Sequence, residues 1–276
     1  MILYAKPFVE EKIIEFQERV SKLNKKPTLA IIQVEGNPAS DKYVNNKLKR
    51  CKEVGVQADL YLFSKDTSSS AIERMIDILN SDDEVDGILL QLPLPDHLNE
   101  EYLTNQICPY KDVDGFTIYN TGALSLGMEC NVPCTPKGVI DLLKFYKIPI
   151  ASKDVLIINR SNIVGKPLAQ LLLRENATVT VAHSRTKNLK QKIKDADIVV
   201  LGVGKADFLY DEDFSDDTII IDISINFKDG KMCGDVHKED YEDLATRCHI
   251  TPVPNGIGQT TVISLIDNLI TIVENK

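Results

Sequence analysis

The residues best suited to proton chemistry sit in three short segments of the N-terminal half. In SDKYVNNKLKRCKEVG, Tyr43 and Lys47 stand four apart, which puts a phenol and an amine on one helical face where they can share a proton. A lysine serves as acid or base near neutrality only if burial or nearby cations depress its pKa, and Lys42, Lys49, Arg50 and Lys52 bring cations to the same segment. An ordinary amphipathic helix with a solvent lysine has the same spacing, so the reading depends on what else converges there. Gln91 follows the apolar run GILL beside two prolines in QLPLP, and KDVDGF sets Asp112 and Asp114 beside Gly115. Polar groups at strand exits and stiff turns are more often site residues than surface ones, although Asn, Asp and Gly also make plain turns.

A second kind of chemistry is written at the end of the run VLII, where NRSNIVGKP places Asn159, Ser161 and Gly165 at a strand-to-helix turn. Backbone N–H groups in such a turn, backed by the helix dipole, face a pyrophosphate. The next strand, TVTVA, ends at His183-Ser184-Arg185, where an acidic residue would take the 2′-hydroxyl of NAD. A hydroxyl and a cation stand there instead, and with Arg160 in the turn they suit a 2′-phosphate, favouring NADP. Two solvated surface arginines are the other reading. A further loop, GVGKADF at 202 to 208, ends the next strand on the edge where such folds bind ligands.

These groups need elements to hold them. A length of 276 residues at roughly 150 per domain predicts two domains. Apolar runs of four to seven residues alternate with segments of helical period, the pattern of an α/β protein with mostly parallel sheets. The first series has strands at 28 to 34, 56 to 63 and 87 to 92, with helices at 8 to 24, 41 to 54 and 69 to 80. Ser40 can cap the second of these helices and Gly55 can end it. A loop-rich stretch from about 105 to 135 follows. Thr135 then reads as an N-cap, with Pro136 at the first helical position, and opens a second, Rossmann-type series. Its strands are at 154 to 159, 178 to 182, 197 to 203 and 218 to 223, with helices near 165 to 175 and 188 to 194. A last helix, about 260 to 273, is long enough to cross back onto the first domain. The expected division is 1–137 plus 268–276 for the catalytic domain and 138–267 for the nucleotide domain.

Composition narrows the function. Lys+Arg 32 against Asp+Glu 41 leaves a net charge of −9 and a pI near 5.1, which disfavours binding to nucleic acid. Hydrophobic content is 43%, but no apolar run approaches the roughly 20 residues of a membrane span, so no membrane partner is expected. The start MILYAKPFVEEK lacks the pattern of a signal peptide, so the mature chain is expected to begin near Met1. Six cysteines without a C-x-x-C pair read as reduced thiols of a cytoplasmic protein, and neither CNVPC nor the four histidines has metal-ligand spacing. No metal is expected.

YVNNK, LLQLPLP, KDVDGF, PCTPKG, NRSNIVGKPL, GDV and TPVPNGIG occur in the order found in the bifunctional methylenetetrahydrofolate dehydrogenase/cyclohydrolase enzymes, and the resemblance runs through nearly the whole chain. It implies a homodimer of two-domain α/β subunits, with folate in a cleft between the N-terminal domain and an NADP-binding Rossmann domain. The implied reactions are oxidation of 5,10-methylenetetrahydrofolate to the methenyl form and hydrolysis of that form to 10-formyltetrahydrofolate. By the same resemblance Lys47 is the central group of the hydrolysis, Gln91 holds Lys47, Tyr43 packs along the folate and Asp114 hydrogen-bonds the pterin. Leu92, Pro93, Pro254, Gly256 and Ile257 would complete the substrate contacts. Asn159, Arg160, Ser161, Ile163, Gly165, Ser184, Arg185 and Ile225 would hold the cofactor.

The chain departs from the family pattern where backbone is expected to approach cofactor or folate. Asn159 replaces the usual first glycine of the phosphate turn, and asparagine tolerates positive φ better than most residues. Ser224 stands at the glycine of D-x-G-x-N, while Asn255, Gln259 and Thr260 interrupt P-G-G-V-G-P-M-T. Side chains there could narrow the nicotinamide pocket, which leaves a cyclohydrolase with weakened dehydrogenase activity as a second reading. A non-catalytic nucleotide-binding protein is a third.

Overall fold

All seven of those apolar runs form strands, each being too short for a helix and rich in Val, Ile and Leu. The computed structural model describes residues 1–276, apart from the side chain of Ala39. The chain falls into two units, Glu11–Cys134 with Val262–Lys276, and Met1–Glu10 with Thr135–Thr261.

The first unit takes most of α1 (Ala5–Ser21), then β1 (Thr28–Val34), α2 (Pro38–Val54), β2 (Gln57–Phe63), α3 (Ser69–Ser81), β3 (Gly87–Leu90), α4 (Glu100–Thr104) and α5 (Ile118–Ser125). Its strands pair in parallel in the order β2-β1-β3. Ala30, Ile32, Ile72, Ile76, Leu79, Ile88, Leu90 and Leu103 pack into one buried cluster. α5 lies inside the stretch expected to be loop. Thr117 opens it by accepting a hydrogen bond from the Asn120 N–H through its side chain, a cap hidden among turn-forming residues.

The second unit contains α6 (Cys134–Phe145) from Thr135 on, then β4 (Asp154–Ile158), α7 (Gly165–Arg174), β5 (Thr178–Ala182), α8 (Leu189–Asp195), β6 (Ile198–Leu201), β7 (Ile219–Asp222), a small antiparallel hairpin β8 (Asn226–Lys228) and β9 (Lys231–Cys233), α9 (Tyr241–Arg247) and β10 (His249–Ile250). The final helix α10 (Ile257–Glu274) begins here, and its part from Val262 on belongs to the first unit. Five parallel strands run β10-β7-β6-β4-β5, so the connections leaving β4 and β6 go to opposite sides. Ligands of doubly wound sheets bind at the carboxyl ends of two such strands.

Local chemistry moved several boundaries. α2 starts at Pro38: the Asn37 Oδ1 accepts the Ser40 N–H at 3.3 Å, so Asn37 caps the helix and Ser40 lies inside it with its hydroxyl buried and unpartnered. Thr135 is likewise within the first turn of α6, its hydroxyl 3.1 Å from that of Thr261. Residues 1–10 pack with the second unit. Ile2 bridges Ile250, the Ala5 N–H donates to the Asn255 carbonyl, and Phe8 meets Phe145 edge to face.

Asp86, fully buried before β3, joins the two stretches of the first unit. It accepts from Lys276 at 2.7 Å, pairs with Lys25 at 2.9 Å and receives the Thr28 N–H at 3.0 Å. Burial alone would raise its carboxyl, but the two ammonium groups and the Thr28 N–H outweigh it and hold the pKa below the ordinary value. A depressed folded-state pKa contributes stability that is present above the unfolded pKa and is lost as the pH falls through the folded one. Asp86→Asn is therefore expected to cost about 2 kcal/mol near neutrality, the range of charged hydrogen bonds, and to flatten the acid limb of stability against pH. Equal acid limbs in denaturant titrations of the two proteins would show that Asp86 does not carry this linkage.

Candidate active site

α2 presents Tyr43, Lys47 and Cys51 at intervals of four, one face of the helix. Gln33 near the end of β1 fixes the start of α2 by donating to the Asp41 carboxylate at 2.6 Å. Gln91 follows β3, anchored by its N–H to the Ile32 carbonyl at 2.9 Å and by its Nε2 to the Leu92 carbonyl at 2.6 Å. That leaves the Gln91 Oε1 to accept from the Lys47 Nζ at 2.9 Å. Lys47 is only 6% exposed, so its amine has one described partner and two further hydrogen-bonding positions in a place nearly closed to water. The phenol of Tyr43 and this amine do not share a hydrogen bond. The amine reaches across to the strand exit, while Tyr43 is half-buried with its pKa raised by desolvation.

Asp114 owes its place to its neighbour. The buried Asp112 carboxylate accepts the N–H groups of Gly115 at 2.9 Å and Thr117 at 2.8 Å and the Asn120 amide at 3.0 Å, and its backbone bridges Ile88 of β3. Gly115 has φ +68°, and a Cβ there would lie 2.5 Å from the Asn131 carbonyl, so only glycine fits. Asn268 of α10 ties the same loop by donating to the Val113 and Val132 carbonyls. Burial raises the Asp114 carboxyl above its ordinary range, opposed by the charge of Lys47 and a hydrogen bond from Cys134. Cys51 and Cys134 feel the same lysine, yet burial dominates both, lifting Cys51 to about 12. Lys47, Gln91 and Asp114 thus form one electrostatic cluster, with Leu92 half-buried and Pro93 exposed beside it. Sequence reading missed Gln33, Cys134 and Asn268. An asparagine in the apolar run of α10 was the visible signal for the last.

In the second unit the turn after β4 and the loop after β6 flank the point where the connections diverge. Asn159 joins them: its Nδ2 donates to the Gly202 carbonyl at 2.6 Å, and its Oδ1 accepts the N–H groups of Ser161 at 2.8 Å and Gly165 at 3.1 Å. Ser161 Oγ accepts the Val164 N–H at 3.1 Å. A Cβ on Gly165 would fall 2.2 Å from the Asn159 carbonyl, so this glycine is required by the turn itself. Asn159 therefore shapes the turn from inside. Arg160, Ile163, Ser184 and Arg185 are exposed around it, and among the described residues neither guanidinium has an ion-pair partner. Two unpaired cations and no carboxylate at the exit of β5 fit a phosphorylated ribose.

The other departures also settle into the fold. Asn255 has φ +83° and accepts a hydrogen bond from the Gln259 amide at 3.2 Å, so the two substituted residues pair with each other. Pro254 is exposed, whereas Gly256 and Ile257 are buried. Thr260 turns its hydroxyl to the Ile257 carbonyl. Ile225 is 40% exposed after β7, while the adjoining Ser224 is buried. Asp222, at the end of β7, is pushed up to about 7 by burial, aided by the charge of Asp235 and opposed by the N–H groups of Val236, Ser224 and Asp235. Among the described residues no group of three or more His, Cys, Asp or Glu is placed to hold a metal, and no helix is long and apolar enough to cross a membrane.

Residues 3–114 match the tetrahydrofolate dehydrogenase/cyclohydrolase catalytic domain, and residues 133–276 match the NAD(P)-binding domain of the same enzymes. A bifunctional protein FolD from Campylobacter hominis is 44% identical over 270 residues, 97% of this chain and 94% of the relative. The crystal structure of a bifunctional FolD methylenetetrahydrofolate dehydrogenase/cyclohydrolase from Campylobacter jejuni is 38% identical, covers 100% of this chain and 99% of its own, and superimposes with a TM-score of 0.95. A Trypanosoma brucei methylenetetrahydrofolate dehydrogenase-cyclohydrolase, solved with NADP and an inhibitor, gives a TM-score of 0.93 at 28% identity, over 100% of this chain and 97% of its own.

Proposed function

The chain belongs to the tetrahydrofolate dehydrogenase/cyclohydrolase family, and from that premise we propose how its own residues carry the family's reactions. It oxidises 5,10-methylenetetrahydrofolate to the methenyl compound with NADP⁺ and hydrolyses the methenyl compound to 10-formyltetrahydrofolate. The observation that carries the residue assignment is the hydrogen bond from the buried Lys47 amine to Gln91, with Asp114 in the field of the same amine.

Hydrolysis needs a proton taken from water as it adds to the methenyl carbon and a proton delivered to the ring nitrogen that leaves. One amine held still beside the substrate can do both in turn, the remaining hydroxyl proton passing to solvent as the C–N bond breaks and the formyl C=O forms, and such catalysis is worth about 10²–10⁴-fold. In this proposal Lys47 is that amine, Gln91 fixes its position, Tyr43 packs along the folate ring, Asp114 hydrogen-bonds the pterin, and Leu92 and Pro93 border the substrate. Oxidation makes little demand on acids or bases, because a folate nitrogen lone pair stabilises the cation that forms, so orientation dominates that step. NADP, when bound, supplies the hydride acceptor. Arg160 and Arg185 would hold its phosphates, Ser161 and Ser184 its hydroxyl-bearing groups, Ile163 and Ile225 its apolar faces, and Asn159 with Gly165 would keep the turn in shape. Six free thiols and the open edge of β5 support a cytoplasmic homodimer as part of the same proposal.

The test follows absorbance of the methenyl compound. Protein with methylenetetrahydrofolate and NADP⁺ is expected to build the band faster than with NAD⁺, and protein with methenyl substrate alone is expected to consume it. Decay without any cofactor-dependent growth would remove the oxidative half of the proposal.

A further inference from the structure

Four donors from two separate stretches of the chain, 203–205 and 224–226, meet on one buried carboxylate. Asp235 is fully buried after β9, yet each of its oxygens accepts two hydrogen bonds. Oδ2 takes the Val203 N–H at 2.7 Å and the Ser224 hydroxyl at 2.7 Å. Oδ1 takes the Lys205 N–H at 2.8 Å and the Asn226 amide at 3.0 Å. The Ser224 Oγ in turn accepts the Gly204 N–H at 3.2 Å. Three successive N–H groups of the loop after β6 therefore end, directly or through Ser224, on Asp235. The loop itself is open to solvent, with Val203 40% exposed and Gly204 and Lys205 exposed. It is also the loop whose Gly202 carbonyl receives the Asn159 amide of the phosphate turn.

We propose that Asp235, extended by Ser224, is the positioning residue that sets the loop 202–205 for NADP; this rests on the cofactor reading above. An exposed loop with a glycine at φ +76° samples many conformers unless something holds its backbone, and charge-assisted hydrogen bonds to a buried carboxylate are among the strongest available. If only the braced conformer accepts the cofactor, the apparent dissociation constant is the intrinsic one divided by the braced fraction. The serine that replaces the family's usual glycine thus acts within the brace, its side chain buried between Gly204 and Asp235.

Ser224→Ala removes the serine link alone, and Asp235→Asn turns one acceptor oxygen into a donor that faces an N–H. Amide hydrogen exchange of the cofactor-free protein is expected to show 203–205 protected in the wild type and exposed in both variants, with the strands β4, β6 and β7 unchanged. Calorimetric titration is expected to show NADP⁺ binding weakened about tenfold in Ser224→Ala and further in Asp235→Asn, while hydrolysis of the methenyl substrate without cofactor stays within twofold. Unprotected wild-type amides, or NADP⁺ affinity in Ser224→Ala within twofold of wild type, would overturn the proposal. So would protection lost across the whole sheet in Ser224→Ala. A wild-type protein that binds no NADP⁺ would count against the cofactor reading itself, and the exchange pattern would still decide whether the brace exists.

Discussion

Lys47→Met is expected to lower the rate of methenyl hydrolysis by about 10³-fold while leaving the protein folded. The two halves of this result come from one structural fact. Lys47 is 6% exposed and hydrogen-bonded to Gln91, so a methionine of similar length fills the same space but offers no group that moves a proton. The electrostatic consequence has a definite sign. Lys47 pulls the Asp114 carboxyl down against burial, so the variant leaves Asp114 with a higher pKa than it has in the wild type. Stopped-flow hydrolysis with a parallel thermal melt makes the check, and hydrolysis within tenfold of wild type would remove Lys47 from its assigned role.

Arg185→Ala is the second large effect. It is expected to raise the KM for NADP⁺ about tenfold to a hundredfold, the range of a charge-assisted hydrogen bond of about 1.5–3 kcal/mol, and to leave the KM for NAD⁺ nearly unchanged. The guanidinium has no ion-pair partner among the described residues, so its loss disturbs no internal network and the effect falls on the ligand. A parallel rise for both nucleotides would mean that Arg185 does not read the 2′-phosphate.

Much of this was legible in the residues because the signals were local. Short β-branched runs marked the strands, and the resemblance to the family pointed to Gln91 as the group that holds Lys47, where residue spacing alone had offered Tyr43. What was lost depended on which of several similar groups took a given bond. Asn37 outcompeted Ser40 for the cap of α2 because a proline follows it, and Lys47 turned to Gln91 rather than to Tyr43. Asp112 and Asp114 look alike in KDVDGF, but one collects three donors and shapes the loop while the other is left facing Lys47. Asp235 was visible in the motif GDV, but its role was not, since its donors come from positions 203, 205, 224 and 226.

The side chain of Asn159 fills the space that a glycine would leave inside the phosphate turn and ties that turn to the Gly202 carbonyl. A glycine there would leave the backbone free to wander in the empty protein, and the incoming nucleotide would have to order it at about 1–2 kcal/mol per residue. With asparagine the ordering happens during folding. Association should then proceed with little slow rearrangement, and differences in affinity among related dinucleotides should appear mainly in how fast each one leaves.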